Sequence, residues 1–230
     1  MGVPPANHLS ELMSLLAHDM RNPLAALSTN INFIRSVMKN RVTDVDEALS
    51  DCAVSCTLLG HIIGNLDVFS RAFADTPPVR QALPLQKTSG DALARWAEHA
   101  RTSGIELELS ADERKSAVLV DPYLFSRALD NLLANALQHS RGKVMLECTA
   151  RGDRGYLIVT DSGPAVPDDL RDFVMTAGGQ NAAKFKYEAR YGSGLGLYCA
   201  AEAARAAGAE VALGERSGGS MFELSAPLAP

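Results

Sequence analysis

The apolar residues of the first 75 positions recur at steps of three and four, and this spacing favours long helices. One stripe runs from Leu9 to Met38, and a second runs from Leu49 to Phe73 after the polar stretch at 39–43. The two stripes predict an antiparallel helical hairpin over residues 1–75. A hairpin leaves apolar surface on its outer side, so we expect either a homodimer closed as a four-helix bundle or packing against the rest of its own chain.

The pattern changes after residues 76–82, a proline-containing stretch that predicts a linker. In residues 83–230, strands are expected at 105–109, 117–120, 143–150, 156–160, 210–214 and 220–226. Helices are expected at 88–103, from Pro122 to about His139, and after Gly196. Asp121 is placed to cap the second of these helices, with Pro122 at its first position. The predicted fold class is α+β, a helical hairpin followed by an α/β sandwich with mixed strand order.

Charge and hydropathy narrow the choice of partners. The net charge is −5 and the chain has no basic stripe, so nucleic acid is not an expected partner. No apolar run approaches the roughly 20 residues of a membrane-spanning helix, and the N-terminus lacks the apolar core of a signal peptide. We therefore expect a cytoplasmic chain without a membrane span. The 4 cysteines lack the paired spacing of zinc sites and are interpreted as small apolar residues.

His18 lies off the first apolar stripe, on the polar face of its predicted helix. Its neighbour Asp19 can accept a hydrogen bond or a proton from one ring nitrogen, which leaves the other nitrogen as a nucleophile. Pro23 removes the amide that would bond the Asp19 carbonyl, so the helix is expected to bend one turn beyond His18. A histidine alone would be interpreted as a surface residue, whereas this neighbourhood favours a catalytic one.

Asn131 and Asn135 are one helical turn apart, so their amides face the same way. Amide oxygens are hard ligands that suit Mg²⁺, an ion that usually also holds phosphate oxygens and waters. Taken alone, the pair is explained equally well as helix caps or buried amides.

Two further motifs follow along the chain. Asp161 ends an apolar strand, where a carboxylate can accept a hydrogen bond from the amino group of adenine, and Gly163 lets the backbone approach the base. A glycine run then precedes an alanine-rich helix, and glycines before a helix N-terminus favour a phosphate cradle. The polar residues before the run argue for a mobile lid and against a dinucleotide-binding turn. The run consists of Gly192, Ser193, Gly194, Leu195, Gly196 and Leu197.

These motifs resemble known families in their order and spacing. The string His18-Asp19-Met20-Arg21-Asn22-Pro23-Leu24 resembles the phospho-acceptor box of sensor histidine kinases, and the hairpin resembles their dimerisation and phosphotransfer domain. The asparagine, aspartate and glycine motifs resemble the ATP-binding domain shared by histidine kinases, gyrase, mismatch-repair ATPases and Hsp-type chaperones. The resemblance implies the GHKL, or Bergerat, fold for residues 83–230.

The resemblance also implies roles for the residues of the ATP site. Asn135 and Asn131 are expected to bind Mg²⁺, Asp161 with Gly163 and His139 to bind the nucleotide, and the glycine run to close over the triphosphate of ATP. Members of the superfamily that hydrolyse ATP carry a glutamate where Asn131 stands. An amide cannot take a proton from water, so a kinase is favoured over a hydrolase.

In the phospho-acceptor box, His18 would receive the γ-phosphoryl group and pass it to an aspartate on the receiver domain of a response regulator. Asn22 would orient the water that dephosphorylates this partner.

The chain departs from the family pattern at three places. Gln138 stands where the family often has lysine, Ala165 replaces a glycine of the first glycine box, and the phenylalanine-rich segment reduces to Phe173-Val174-Met175. These differences predict weaker or regulated ATP use. They leave open a non-catalytic phosphotransfer or scaffold protein with a degenerate nucleotide site, and a serine-directed kinase built on the same ATP-binding fold.

Overall fold

The computed structural model describes residues 20, 22–34, 42–73, 77–112, 116–171, 174–176, 195–214 and 218–230. The chain divides into two compact units, Met1–Leu66 and Asp67–Pro230. This division falls within a helix, earlier than the hairpin limit at residue 75 predicted from the sequence. The limits of 1–75, 76–82 and 83–230 therefore remain predictions about the functional domains.

The first unit is helical, as the two apolar stripes predict. Helix α1 is described over residues 22–34, and helix α2 spans Val42–Phe73. Large apolar side chains of both helices remain open to solvent in the single chain, with Leu24 57%, Leu49 53% and Ile63 55% exposed. The two stripes are therefore not fully covered within the described part of this unit.

Helix α2 also bears on the expectation that the chain has no membrane span. Its stretch Ala48–Arg71 is long and apolar enough to cross a membrane by length and composition alone. The same helix buries the polar residues Ser55 and Asn65, and Val68 and Phe69 near its end lie in the core of the second unit. Core helices of soluble proteins have these same properties, so the absence of a membrane span remains a prediction.

In its described residues, the second unit contains a mixed sheet and three long helices besides the end of α2. Its strands are β1 (Gln81–Pro84), β2 (Glu106–Ala111), β3 (Ala117–Val120), β4 (Lys143–Arg151), β5 (Arg154–Asp161), β6 (Glu210–Leu213) and β7 (Met221–Pro227). Its helices are α3 (Leu85–Thr102), α4 (Pro122–His139) and α5 (Gly196–Ala207), with a 3₁₀ turn at Asp168–Leu170. This α+β architecture confirms the fold class predicted from the sequence.

Among the described residues, five strands form one sheet in the order β2-β4-β5-β7-β6. β2 pairs with β4 in parallel, and the other neighbours in this sheet are antiparallel. β1 and β3 form a separate antiparallel pair. The sequence did not predict β1, and residues 81 and 82, assigned to the linker, are part of it. Four residues give little periodicity, and this strand is defined by its pairing with a segment more than thirty residues later.

Helices α4 and α5 pack closely against each other. The approach is possible because the buried face of α5 consists of small residues, among them Ala200, Ala203 and Ala204, which are fully buried. On α4, larger residues such as Leu132 and Leu133 are also fully buried. The alanine-rich composition of α5 thus fixes the spacing between two helices that both carry predicted site motifs.

The start of α4 confirms a prediction made from the sequence. The Asp121 carboxylate accepts hydrogen bonds from the backbone N–H groups of Tyr123 and Leu124, both at 3.1 Å, and Pro122 occupies the first helical position. This cap fixes where the helix begins, and therefore where Asn131 and Asn135 fall along it.

Candidate functional site

Asn131 lies at the centre of α4 and is fully buried. Contacts on both sides of its amide group show which way the nitrogen and the oxygen point. Its amide nitrogen donates to the backbone carbonyl of Arg127 at 2.8 Å. The amide oxygen is turned toward the start of α5, 3.8 Å from where a Cβ would stand on Gly196. Asn135, one turn later on α4, is half-buried. The oxygen of Asn131 therefore faces the glycine run that the sequence assigned to the phosphates.

The turn that follows β5 is locked in place by Asp161. This carboxylate is 2% exposed and accepts a hydrogen bond from the backbone N–H of Gly163 at 2.7 Å. Ser162 between them is tied to the loop after α4, since its hydroxyl lies 3.2 Å from that of Ser140 and accepts from the Lys143 N–H at 3.0 Å. The turn is thus anchored to the end of α4 as well as to the sheet.

Two glycines allow the close approaches around Asp161. A Cβ on Gly163 would overlap the carbonyl oxygen of His139 at the end of α4 and would lie 2.8 Å from Asp161 Oδ1. A Cβ on Gly219 would overlap the carbonyl oxygen of Asp161, and this glycine has a left-handed φ of 95°. Gly163 was singled out from the sequence for approach to a base, and the structure shows that contact between protein segments also requires it.

The glycine run is described only from Leu195 onward, and Gly192, Ser193 and Gly194 lie outside the described residues. Gly196 begins α5, while the side chains of Leu195 and Leu197 are each 3% exposed. These side chains are apolar and packed in the core, so we expect any contribution of these two leucines to phosphate binding to come from their backbone groups.

His139 ends α4, and burial lowers the pKa of its half-buried imidazole. Burial therefore favours the neutral form of the ring. Its backbone carbonyl meets Gly163, so the residue belongs to the seam between α4 and the Asp161 turn.

The structure brings three of the sequence motifs together around one helix. Asn131 at the middle of α4 faces the start of α5, and the end of α4 contacts the Asp161 turn. The residues of the phospho-acceptor box are not placed in this way, because His18 and Asp19 lie outside the described residues. Asn22 is described on α1 and is exposed, and Pro23 beside it is buried.

A cluster of charged side chains next to Asn131 was missed by the sequence reasoning. Asp130 is 5% exposed, and its Oδ1 accepts from Trp96 Nε1 and from Arg95 Nη2, both at 3.0 Å. Arg127 Nη1 lies 3.5 Å from the other carboxylate oxygen. The available signal was an aspartate between the apolar residues of α4, a position where a charge needs partners. This cluster joins α3 to the segment of α4 that carries Asn131.

The donor set fits a magnesium ion bound with nucleotide. The Asn131 oxygen is directed toward Gly196 at the start of α5, and the Asn135 amide follows on the same helix. Magnesium prefers a few protein oxygens and takes its remaining ligands from phosphates and waters, which is what two amides offer. No cluster of three or more metal-binding histidine, cysteine or acidic side chains occurs among the described residues.

Comparison with known proteins agrees with this geometry. The family model described as "Histidine kinase-, DNA gyrase B-, and HSP90-like ATPase" matches residues 120–230, which contain α4, the Asp161 turn and the start of α5. This part of the chain is therefore similar to the ATPase domains that the family model describes. Together with the relatives below, the match supports a histidine kinase catalytic core.

Similar proteins cover nearly the whole chain. The sensor histidine kinase GlrK of Escherichia coli is 25% identical over 206 residues, covering 88% of this chain and 43% of its own length. The Acinetobacter baumannii histidine kinase AdeS has a TM-score of 0.58 at 17% identity, covering 93% of this chain and 98% of its own. Full-length ShkA in complex with AMPPNP has a TM-score of 0.62 at 22% identity, covering 96% of this chain and 46% of its own. The chain thus spans less than half the length of GlrK.

Proposed function

We propose that this chain is the kinase core of a two-component system, which uses ATP to phosphorylate its own His18 and then transfers the phosphoryl group to an aspartate of a response regulator. The observation that carries the proposal is the convergence of Asn131, the Asp161 turn and the start of α5 around α4. The matched ATPase family supports nucleotide binding at this place. The sequence around His18 supports an acceptor histidine.

The phosphoryl transfer balances without any further reactant. A ring nitrogen of His18 forms a bond to the γ-phosphorus of ATP while the bond from that phosphorus to the β–γ bridging oxygen breaks, and ADP leaves. Asp19 is placed in the sequence to hold the proton of the other ring nitrogen. The acceptor aspartate of the regulator then displaces His18 at phosphorus. Positioning and charge neutralisation provide most of the catalysis in such transfers.

The residues of the second unit bind and orient the nucleotide in this proposal. Asp161 accepts a hydrogen bond from the adenine amino group, while the N–H groups at the start of α5 face the phosphates. Magnesium, held by Asn131 and Asn135, neutralises phosphate charge when bound. Asn131 itself is an amide and cannot act as a base for water, which favours transfer to His18 over hydrolysis.

In this proposal the first unit carries the surfaces that bind a second copy of the chain and the response regulator. Open apolar side chains such as Leu24, Leu49 and Ile63 support a homodimer that closes a four-helix bundle. Asn22 is exposed on α1, where it is accessible to a bound response regulator and to the water that would dephosphorylate it. We place this activity in the cytoplasm, where ATP and receiver domains are available.

Incubation with γ-labelled ATP and magnesium tests the proposal. We expect label on the wild-type chain that is lost in acid and kept in base, and no label on His18→Ala. The matched control His8→Ala removes another histidine from the same segment and should leave labelling intact. Added receiver domain should take the label from the chain.

Each alternative gives a different result in this assay. No label and no nucleotide binding by the wild type would favour the phosphotransfer or scaffold protein. An acid-stable product would favour the serine-directed kinase, and label that survives His18→Ala would exclude His18 as the acceptor.

A further inference from the structure

The last described part of α2 belongs to the second compact unit, which begins at Asp67. Val68 there is fully buried and Phe69 is 5% exposed, whereas Ile63, little more than one turn earlier, is 55% exposed. Val68 and Phe69 of α2 therefore contribute to the core of the second unit. This segment precedes both the matched family domain at 120–230 and the domain predicted at 83–230.

The buried ring of Phe69 packs against α5. Its centroid lies 5.5 Å from that of Tyr198, with the planes inclined at 32°. Tyr198 stands in the first turn of α5, two residues after Gly196. Since the Asn131 amide oxygen faces Gly196, the aromatic pair and the predicted phosphate site share a single helical turn.

A second contact holds the same segment to the start of α4. The Asp67 carboxylate accepts from Arg71 Nε at 2.9 Å and from the Tyr123 hydroxyl, and the Arg71 guanidinium lies 4.8 Å from the centre of the Tyr123 ring. The end of α2 is thus fastened to the two helices, α4 and α5, that carry the site motifs.

We infer that Phe69 is a positioning residue for the nucleotide site, because its ring fixes Tyr198 and thereby the first turn of α5 opposite Asn131. The inference rests on the proposed nucleotide binding and extends it to a residue of the hairpin helix. In the proposed function the first turn of α5 directs its N–H groups toward the phosphates, and the contact of Phe69 with Tyr198 helps to hold this turn in place. By linkage, bound nucleotide stabilises the contact of α2 with α5 to the same extent.

Titration of the full chain with magnesium and AMPPNP in a calorimeter tests the inference. Loss of an aromatic contact changes an equilibrium constant by about three- to tenfold. We therefore expect AMPPNP to bind more weakly by about that factor to Phe69→Ala. The same loss is expected for Phe69→Leu, which keeps more of the side-chain volume but lacks the ring. Phe69→Tyr keeps the ring and should bind within about twofold of the wild type. Leu109→Ala, which shortens an exposed leucine on the distant edge strand β2, is the control and should bind unchanged.

Two further readouts separate positioning from a structural role. In the kinase assay the Phe69 variants should raise KM for ATP more than they lower kcat. In hydrogen exchange, AMPPNP should slow the backbone amides of residues 67–71 in the wild type but not in Phe69→Leu. Fluorescence of Trp96, buried in the same unit, confirms that each variant is folded.

The outcomes are distinct. If the wild type binds AMPPNP while folded Phe69→Leu binds equally well, the inference is overturned and the proposed function stands. If Phe69→Ala unfolds, Phe69→Leu and Phe69→Tyr still decide the question. A wild-type chain that binds no nucleotide overturns the proposed function, and the inference with it.

Discussion

The charge of Asp130 joins α3 to the segment of α4 that carries Asn131, and its removal is a direct test of how the site is supported. Asp130→Asn keeps the size and the oxygen that accepts from Trp96 Nε1. It removes the negative charge shared by Arg95 and Arg127, and it places amide N–H groups beside a guanidinium.

The expected loss of stability follows from the exposure of each partner. Breaking a fully buried ion pair costs about 3–5 kcal/mol. The side chain of Arg95 is 44% exposed, so water screens its ion pair with Asp130. The side chain of Arg127 is only 12% exposed, so the loss of its ion pair with Asp130 should cost more. We therefore expect Asp130→Asn to lower the free energy of unfolding by about 2–3 kcal/mol. For a unit of this size the melting temperature should fall by roughly 4–12 °C.

Urea unfolding followed by intrinsic fluorescence measures this change directly. Trp96 is the single tryptophan of the chain and is 2% exposed, so its emission reports the unfolding of this unit. The control Asp91→Asn breaks an exposed pair with Lys87 on α3 and should leave the free energy of unfolding nearly unchanged. Trp96→Phe removes the fluorescent reporter, so its unfolding is followed by circular dichroism. This variant loses the hydrogen bond from Trp96 Nε1 to the charged Asp130 and should lower the free energy of unfolding by about 1.5–3 kcal/mol.

The double variant completes a thermodynamic cycle. Asp130→Asn and Trp96→Phe should be coupled by about 0.5–1 kcal/mol, because the bond to a neutral oxygen is weaker than the bond to a carboxylate. If Asp130→Asn were as stable as Asp91→Asn, the carboxylate would not hold the two helices together, and our account of this cluster would be wrong.

Three further predictions concern the proposed nucleotide site and the pH dependence of stability. Gly163→Ala should lower stability by about 1–3 kcal/mol and weaken AMPPNP binding, because the new Cβ overlaps the His139 carbonyl, whereas Gly90→Ala meets no atom within 4 Å and should be neutral or stabilising. Asp161→Asn should weaken adenine nucleotide binding about ten- to hundredfold by calorimetry, and equal affinity would exclude Asp161 as the partner of the base. Burial lowers the pKa of His99 and His139 in the folded chain. Below about pH 6.5 these histidines therefore bind protons more readily in the unfolded chain than in the folded chain. The free energy of unfolding should fall as the pH is lowered from about 7.5 to about 5.5. His139→Gln should reduce this fall in urea titrations, and an unchanged slope would contradict the assignment.

Much of the second unit could be predicted because its signals are local. The Asp121 cap and Pro122 fix the start of α4 through bonds within one helical turn, and short apolar runs mark β4 and β5. The Asp130 cluster was missed because its partners Arg95 and Trp96 lie on another helix. The sequence pattern of α4 does not predict which side chains of other helices will contact an aspartate on its buried face.

The amino-acid sequence by itself determined the helices, most of the strands and the order in which the asparagine, aspartate and glycine motifs occur, because these depend on periodicity, capping and residue type within short segments. The tertiary structure decided which segments meet. The pairing of β1 with β3, the overlap that makes Gly163 necessary beside His139, and the packing of Phe69 on Tyr198 join residues far apart in the chain. Such contacts form only when the whole unit folds, since the free energy that selects them comes from burial shared among several elements.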